Sequence, residues 1–192
     1  MNRIPIYSCI FSLFLFSCVQ KGPYQEMLDR ELSSNVRADS IFLGFSFGMP
    51  RKEFYASCWE MNKEGILIQG PNNLSVQYYL DDELPMPAYM RFYPQFDDSG
   101  KIYSMPIEFL YETYAPWNKS TSSDSLILEV KNLFENWYGG EFIKVVDQEG
   151  ARQVYVKMDG NRRIRIFKRD VAFVAADITD MKSDKMKGKD EG

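Results

Sequence analysis

The chain contains no histidine. Imidazole is the commonest general base and metal ligand, so its absence removes Ser-His and Cys-His nucleophilic pairs. Cysteine is scarce: Cys9, Cys18 and Cys58 are the only three. With Cys9 in an export segment and Cys18 a candidate for acylation, Cys58 is left alone, and one thiol closes no internal disulfide. It falls on the apolar stripe of an expected helix, where free cysteine behaves as a small hydrophobe. An excess of positive charge is also missing: 27 acidic against 23 basic residues leave a net charge of −4. No field attracts phosphate, which argues against a nucleic-acid partner. Nor does any apolar run reach the roughly 20 residues that span a bilayer.

Acidic pairs are present but poorly placed for chemistry. Asp81-Asp82-Glu83 and Asp97-Asp98 occupy loop and turn contexts that favour acidic residues anyway. A glycosidase needs two carboxyl groups held across a cleft, and a calcium loop needs spaced oxygen ligands with a closing acid. Gly139-Gly140 follows a helix pattern instead of preceding one, so it stops a helix and cradles no phosphate. The sequon Asn118-Lys119-Ser120 is of a kind frequent by chance. No cofactor, metal or catalytic residue is expected, and an enzyme ranks last among the readings.

What is there begins at the N-terminus. Arg3 precedes an apolar run over residues 4–16, too short to cross a membrane and of signal-peptide length. Leu15-Phe16-Ser17-Cys18 resembles the bacterial lipobox, which implies removal of residues 1–17 and acylation of Cys18 with a diacylglycerol and an amide-linked chain such as palmitate. Each buried methylene of such an anchor contributes about 0.8 kcal/mol. The following Val-Gln-Lys-Gly lacks the acidic cluster of surface-exposed lipoproteins of the Bacteroides group. The expected location is therefore the cell envelope, on the outer membrane facing the periplasm. Residues 18–40 then form a lipid-anchored tether or one short amphipathic helix carrying Met27, Leu28 and Leu32.

The rest is organised around two helix patterns. In the first, Phe45 and Phe47 alternate before Gly48 and Pro50, then Phe54, Cys58 and Met61 recur at helical spacing until Gly65. The second has Leu126, Val130, Leu133 and Trp137 in one stripe. Each precedes four strand candidates: residues 66–69, 75–80, 88–96 and 102–112, then 142–146, 154–158, 162–168 and 171–178. Asp159-Gly160-Asn161 is a hairpin turn signal. The expected class is α+β: two tandem units, each one helix with a roughly four-stranded antiparallel sheet, the helices packed on one face. The units span 41–114 and 123–181, with a linker over 115–122 and a disordered tail over 182–192.

Phe47-Gly48-Met49 opening a helix, followed by strands and repeated in tandem, resembles the β-lactamase-inhibitor-protein-like fold and the small envelope lipoproteins of the outer-membrane β-barrel assembly machinery. That resemblance implies a binding module with a concave sheet and no catalytic residues. Strand alternation turns Gln77, Tyr79, Tyr89, Arg91 and Tyr93 outward in the first unit, and Tyr155, Lys157, Arg163 and Arg165 in the second. Tyrosine and arginine are favoured at binding hot spots, whereas tyrosine on a wet strand face also reflects β-propensity, and the arginine run 162–169 also serves edge protection. The leading expectation is a lipid-anchored protein-binding module serving envelope assembly or enzyme inhibition. The alternative is a receptor for a glycan or small ligand stacked on Tyr79, Tyr89 and Tyr93.

Overall fold

The computed structural model describes residues 21–146 and 153–186. Helix α1 (Pro23–Ser33) comes first, then α2 (Arg51–Lys63). Strands β1 (Leu67–Gln69), β2 (Val76–Tyr79), β3 (Ala88–Phe92), β4 (Gln95–Phe96) and β5 (Ile102–Tyr111) follow. After α3 (Ser123–Tyr138) come β6 (Ile143–Val146), β7 (Gln153–Asp159), β8 (Arg162–Lys168) and β9 (Val174–Asp180). The class is α+β, with antiparallel pairing throughout.

The layout of two four-stranded units does not form. All nine strands among the described residues belong to one sheet in the order β1-β2-β3-β5-β9-β8-β7-β6, with β4 paired to β5 beside β3. The chain leaves central β5 through α3 to the far edge, then returns strand by strand until β9 closes against β5 from Ser104↔Thr179 to Phe109↔Val174. The last strands of the two expected units therefore pair and erase the boundary between them. Residues 115–122 are a crossover containing a short 3-10 turn, with Thr121 buried. Pro106 sits mid-strand in β5, where a missing N–H would normally break a ladder. Pairing with β9 runs on through Pro106↔Asp177, while β3 and β4 are interrupted opposite it at Tyr93-Pro94. The expected single strand over 88–96 is thus two.

One face of the sheet carries the large core. Phe54 of α2 and Leu126, Val130, Leu133 and Phe134 of α3 pack with Met90, Phe92, Met105, Ile107, Phe109, Ile164, Ile166, Val174, Ala176 and Ile178. Phe45, Phe47 and Met49 complete it, though their segment is a series of turns with the bridge Ser40↔Ser46 instead of a strand. The other face has its own small cluster: Met27 and Leu28 of α1 with Val156, Met158 and Met181. The expected tether thus includes a helix that docks on the sheet. Residues 182–186, expected within a frayed tail, turn back so that Lys185 reaches Asp98 at 2.7 Å and Met186 packs against that cluster.

The turn Asp159-Gly160-Asn161 ties these parts together. Asn161 is fully buried, accepting from the Ala38 N–H at 2.7 Å and donating to Asp39 and Asp180. Gly160 has a positive φ of 56°, and a Cβ there would stand 2.4 Å from the Val36 carbonyl oxygen. Only glycine fits that approach.

Cys58 is half-buried against the large core, and burial pushes its thiol up to about 11. At pH 8 about one thiol in a thousand is then ionised, and the thiolate is the nucleophile. Iodoacetamide labelling of the native protein is expected to be far slower than that of the urea-unfolded chain. Comparable rates would show an accessible, unshifted thiol.

Candidate functional site

The side of the sheet opposite α2 and α3 is only partly covered. One row of paired residues crosses it: Ile68, Gln77, Arg91, Glu108, Ala175, Phe167, Val154 and Val145, one from each of β1, β2, β3, β5, β9, β8, β7 and β6. The row is polar over β2–β5 and apolar from β9 outward. The apolar end needs cover, and α1 supplies it over β7. The polar part stays open.

Four of the expected residues meet there. Arg91 donates from Nε to Gln77 Oε1 at 2.8 Å, and its guanidinium lies 5.5 Å from the Tyr89 ring centroid. Tyr79 and Tyr89 pack edge to face at 5.1 Å. The Tyr89 hydroxyl donates to Glu112 at 3.1 Å; burial first, and that carboxylate second, raise its pKa. Tyr79 remains 38% exposed, whereas Gln77 is 6% exposed beneath the Arg91 side chain that it orients. Arg165 shares this face and pairs with Asp177 at 2.6 Å.

The other four expected residues lie outside that cluster, though Tyr93 and Arg163 border the β5–β9 seam beside it. Tyr155 and Lys157 lie across from Ile166 and Ile164, on the α3 side of the sheet. Alternation misleads here because the apolar set of β7, Val154, Val156 and Met158, faces the small core under α1, which turns its polar set the other way. Lys157 is buried and paired with Asp159. Arg163 has the expected facing but is 5% exposed, with Nη1 donating to Tyr24 of α1 at 3.0 Å. Tyr93, just past the end of β3, bonds the Tyr55 hydroxyl of α2 and packs edge-on to Phe54 and Phe96. That bond first, and burial second, raise its pKa. The three-tyrosine platform expected for a stacked glycan is therefore not assembled.

Between the two groups runs a furrow over the β5–β9 seam. Its floor is made of small or ring-closed residues: Ser104, Pro106, Ala175 and Thr179, with the Ser104 and Thr179 hydroxyls bonded at 3.1 Å. Two adjoining depressions of about 420 and 330 Å³ meet at Pro106 and Asp177. Arg91 and Glu108 wall the first, Arg163, Arg165 and Gln95 the second. Glu108 is also paired with Arg169. Alternation alone points Glu108 and Asp177 outward; what it does not show is that β5 and β9 are neighbours.

The turn at Asp97-Asp98 is structural. The Asp97 carboxylate accepts from the Ser99 N–H and hydroxyl and the Lys101 N–H at 2.8–2.9 Å, and the Lys101 bond is the main cause of its lowered pKa. Among the described residues no group of three or more Cys, Asp or Glu is gathered to hold a metal ion, and no helix is long and apolar enough to cross a membrane. Cys18, expected to be acylated, lies outside the described residues. No family model, curated protein or solved structure matches the chain.

Proposed function

We propose that this chain is a lipid-anchored envelope protein, periplasm-facing and without catalytic activity, that grips a protein segment in the furrow over the β5–β9 seam. The observation that carries the reading is the unequal cover of the sheet. One face is packed under α2 and α3, whereas on the other α1 stops short of β2–β5 and leaves a furrow walled by Arg91, Glu108, Arg165 and Asp177. Mixed charge with tyrosine and arginine suits a polypeptide, whose backbone supplies donors and acceptors together. The likeness to small envelope lipoproteins and to inhibitor-type folds belongs to the same reading.

Anchoring adds a geometric consequence. With α1 beginning at Pro23, a chain acylated at Cys18 has four residues between anchor and helix, five steps along the chain and a reach of at most about 18 Å. The sheet then works close to the membrane. Mass spectrometry of the mature N-terminus is expected to give an acylated Cys18; a chain beginning elsewhere ends this part of the proposal.

A photoreactive residue placed at position 175 of the full-length protein is expected to crosslink a protein in intact envelopes, while one at exposed Asn132 on α3 does not. Ala175→Trp, which fills the furrow, is expected to reduce co-purification of that partner at least tenfold with the thermal midpoint unchanged. Equal crosslinking at both positions, or a partner retained by Ala175→Trp, would overturn the furrow as the binding surface.

A further inference from the structure

A second cavity, of about 520 Å³, lies on the opposite side of the sheet, where the C-terminal end of α3 meets the turn over residues 40–43. Its volume falls in the roughly 300–1,000 Å³ range of small-molecule sites. Phe42, Leu43, Trp137 and Tyr138 supply its apolar surface, and Glu83, Tyr78 and Arg162 its polar groups. The furrow reading uses none of these residues.

The walls are held in place from behind. Phe42 packs edge-on against Phe92 at 4.9 Å, and Trp137 stacks on Phe134 at 5.5 Å. The Tyr138 hydroxyl donates to the Ile41 carbonyl at 2.6 Å, which leaves its oxygen lone pairs as acceptors. Leu43 sits in the left-handed region at φ 50°. For a residue with a Cβ that conformation is strained, and it persists only where the surroundings impose it.

Arg162 is 7% exposed. Its guanidinium lies 4.4 Å from the Tyr138 ring centroid, with Nη1 donating to the Ser40 carbonyl at 2.7 Å and Nη2 to Asp159 at 2.8 Å. Each of those nitrogens carries a second N–H, and Nε has no partner among the described residues. Glu83 also lines the cavity, its carboxylate accepting from the Tyr78 hydroxyl at 2.5 Å. One carboxylate and one guanidinium balance, so the lining selects neither an anion nor a cation. What it offers is an acceptor wall, a donor wall and aromatic faces between them.

We infer that this cavity binds a neutral saccharide ring, its C–H face against Trp137 and Phe42 and its hydroxyls shared between Glu83 and Arg162. A pyranose presents both kinds of surface at once: apolar faces and a rim of hydroxyls that donate and accept. The site is distinct from the tyrosines of the sheet face and does not depend on the furrow.

The test uses tryptophan fluorescence. Of the three tryptophans, Trp59 and Trp117 are 63% and 87% exposed, so Trp59→Phe and Trp117→Phe leave Trp137 as the reporter beside the cavity. Glucose, galactose, N-acetylglucosamine and maltose are titrated in turn, with calorimetry as the second readout. Saturable binding of at least one sugar is expected. Glu83→Gln, which keeps shape and removes charge, is expected to weaken it about tenfold or more, the scale of one hydrogen bond to a charged group. Ala175→Trp, followed by calorimetry because it adds a tryptophan, is expected to leave it unchanged, which separates failure of this site from failure of the furrow. No saturation with any of the four sugars would overturn the inference. So would sugar binding indifferent to Glu83→Gln, or saturable binding of zwitterionic phenylalanine in place of a sugar.

Discussion

Replacing Phe109 with alanine is expected to lower the unfolding free energy by about 3–5 kcal/mol, the range for deleting a buried phenyl ring. Phe109 has no exposed surface, pairs with Met90 of β3 and Val174 of β9, and meets Phe134 of α3 edge-on at 5.8 Å. Three elements from both halves of the chain therefore close around one side chain of β5. Neighbours fixed by two strand ladders and a helix cannot readily collapse into the space, which puts the loss in the upper part of that range. The measurement is urea unfolding followed by far-ultraviolet circular dichroism and by fluorescence. The two probes should give one coincident transition in wild type and variant, because the sheet has no internal boundary at which half could survive. A loss below about 1.5 kcal/mol, or two separated transitions, would mean that the halves are stable apart and the seam is an interface between domains.

Arg162→Ala is expected to cost about 3 kcal/mol, near the low end for breaking a buried ion pair. The low end applies because Asp159 keeps 26% of its side-chain surface exposed and retains Lys157 as a partner. Besides the ion pair, the change removes the bond to the Ser40 carbonyl and the stack on Tyr138. A guanidinium over an aromatic face contributes on the order of 1–2 kcal/mol when desolvated. Arg162→Lys is therefore expected to recover less than half of the loss, since an ammonium cannot serve Ser40, Asp159 and the Tyr138 face from one plane. Full rescue by lysine, measured by the same urea titration, would reduce Arg162 to a point charge. The comparison also bears on the saccharide cavity, because the same guanidinium joins the 40–43 turn to β8 and forms its donor wall.

Much of the local structure is legible without coordinates. The stripe Leu126, Val130 and Leu133 and the Gly139-Gly140 stop place α3 within a residue, and Asp159-Gly160-Asn161 does the same for the β7–β8 hairpin. Strand positions follow from alternation, apart from the β3–β4 break at Tyr93-Pro94 and the Phe45–Phe47 segment, which alternates but forms turns. The candidate surface was half legible. Gln77, Tyr79, Tyr89 and Arg91 come together because they alternate on two strands that are neighbours in sequence. Tyr155 and Lys157 fail by parity, since alternation says which residues share a side and not which side faces which core. Arg163 is a different case. Its facing is as expected and it borders the furrow, but it is mostly covered through Tyr24, 139 residues earlier, and strand periodicity says nothing about that.

By itself, then, the sequence determined the α+β class, the extents of α2 and α3 and most of the strands, because each depends on backbone preference and side-chain period within a few residues. It also determined that no imidazole is available, which removes His-paired nucleophiles and histidine metal ligands. Only the tertiary structure decided that β9 closes on β5, that the sheet is single, that α1 covers one end of its second face, and that a furrow and an aromatic cavity remain on opposite sides. Those outcomes rest on which apolar surfaces find one another across the whole chain. That competition is settled by total burial, and no local pattern encodes it.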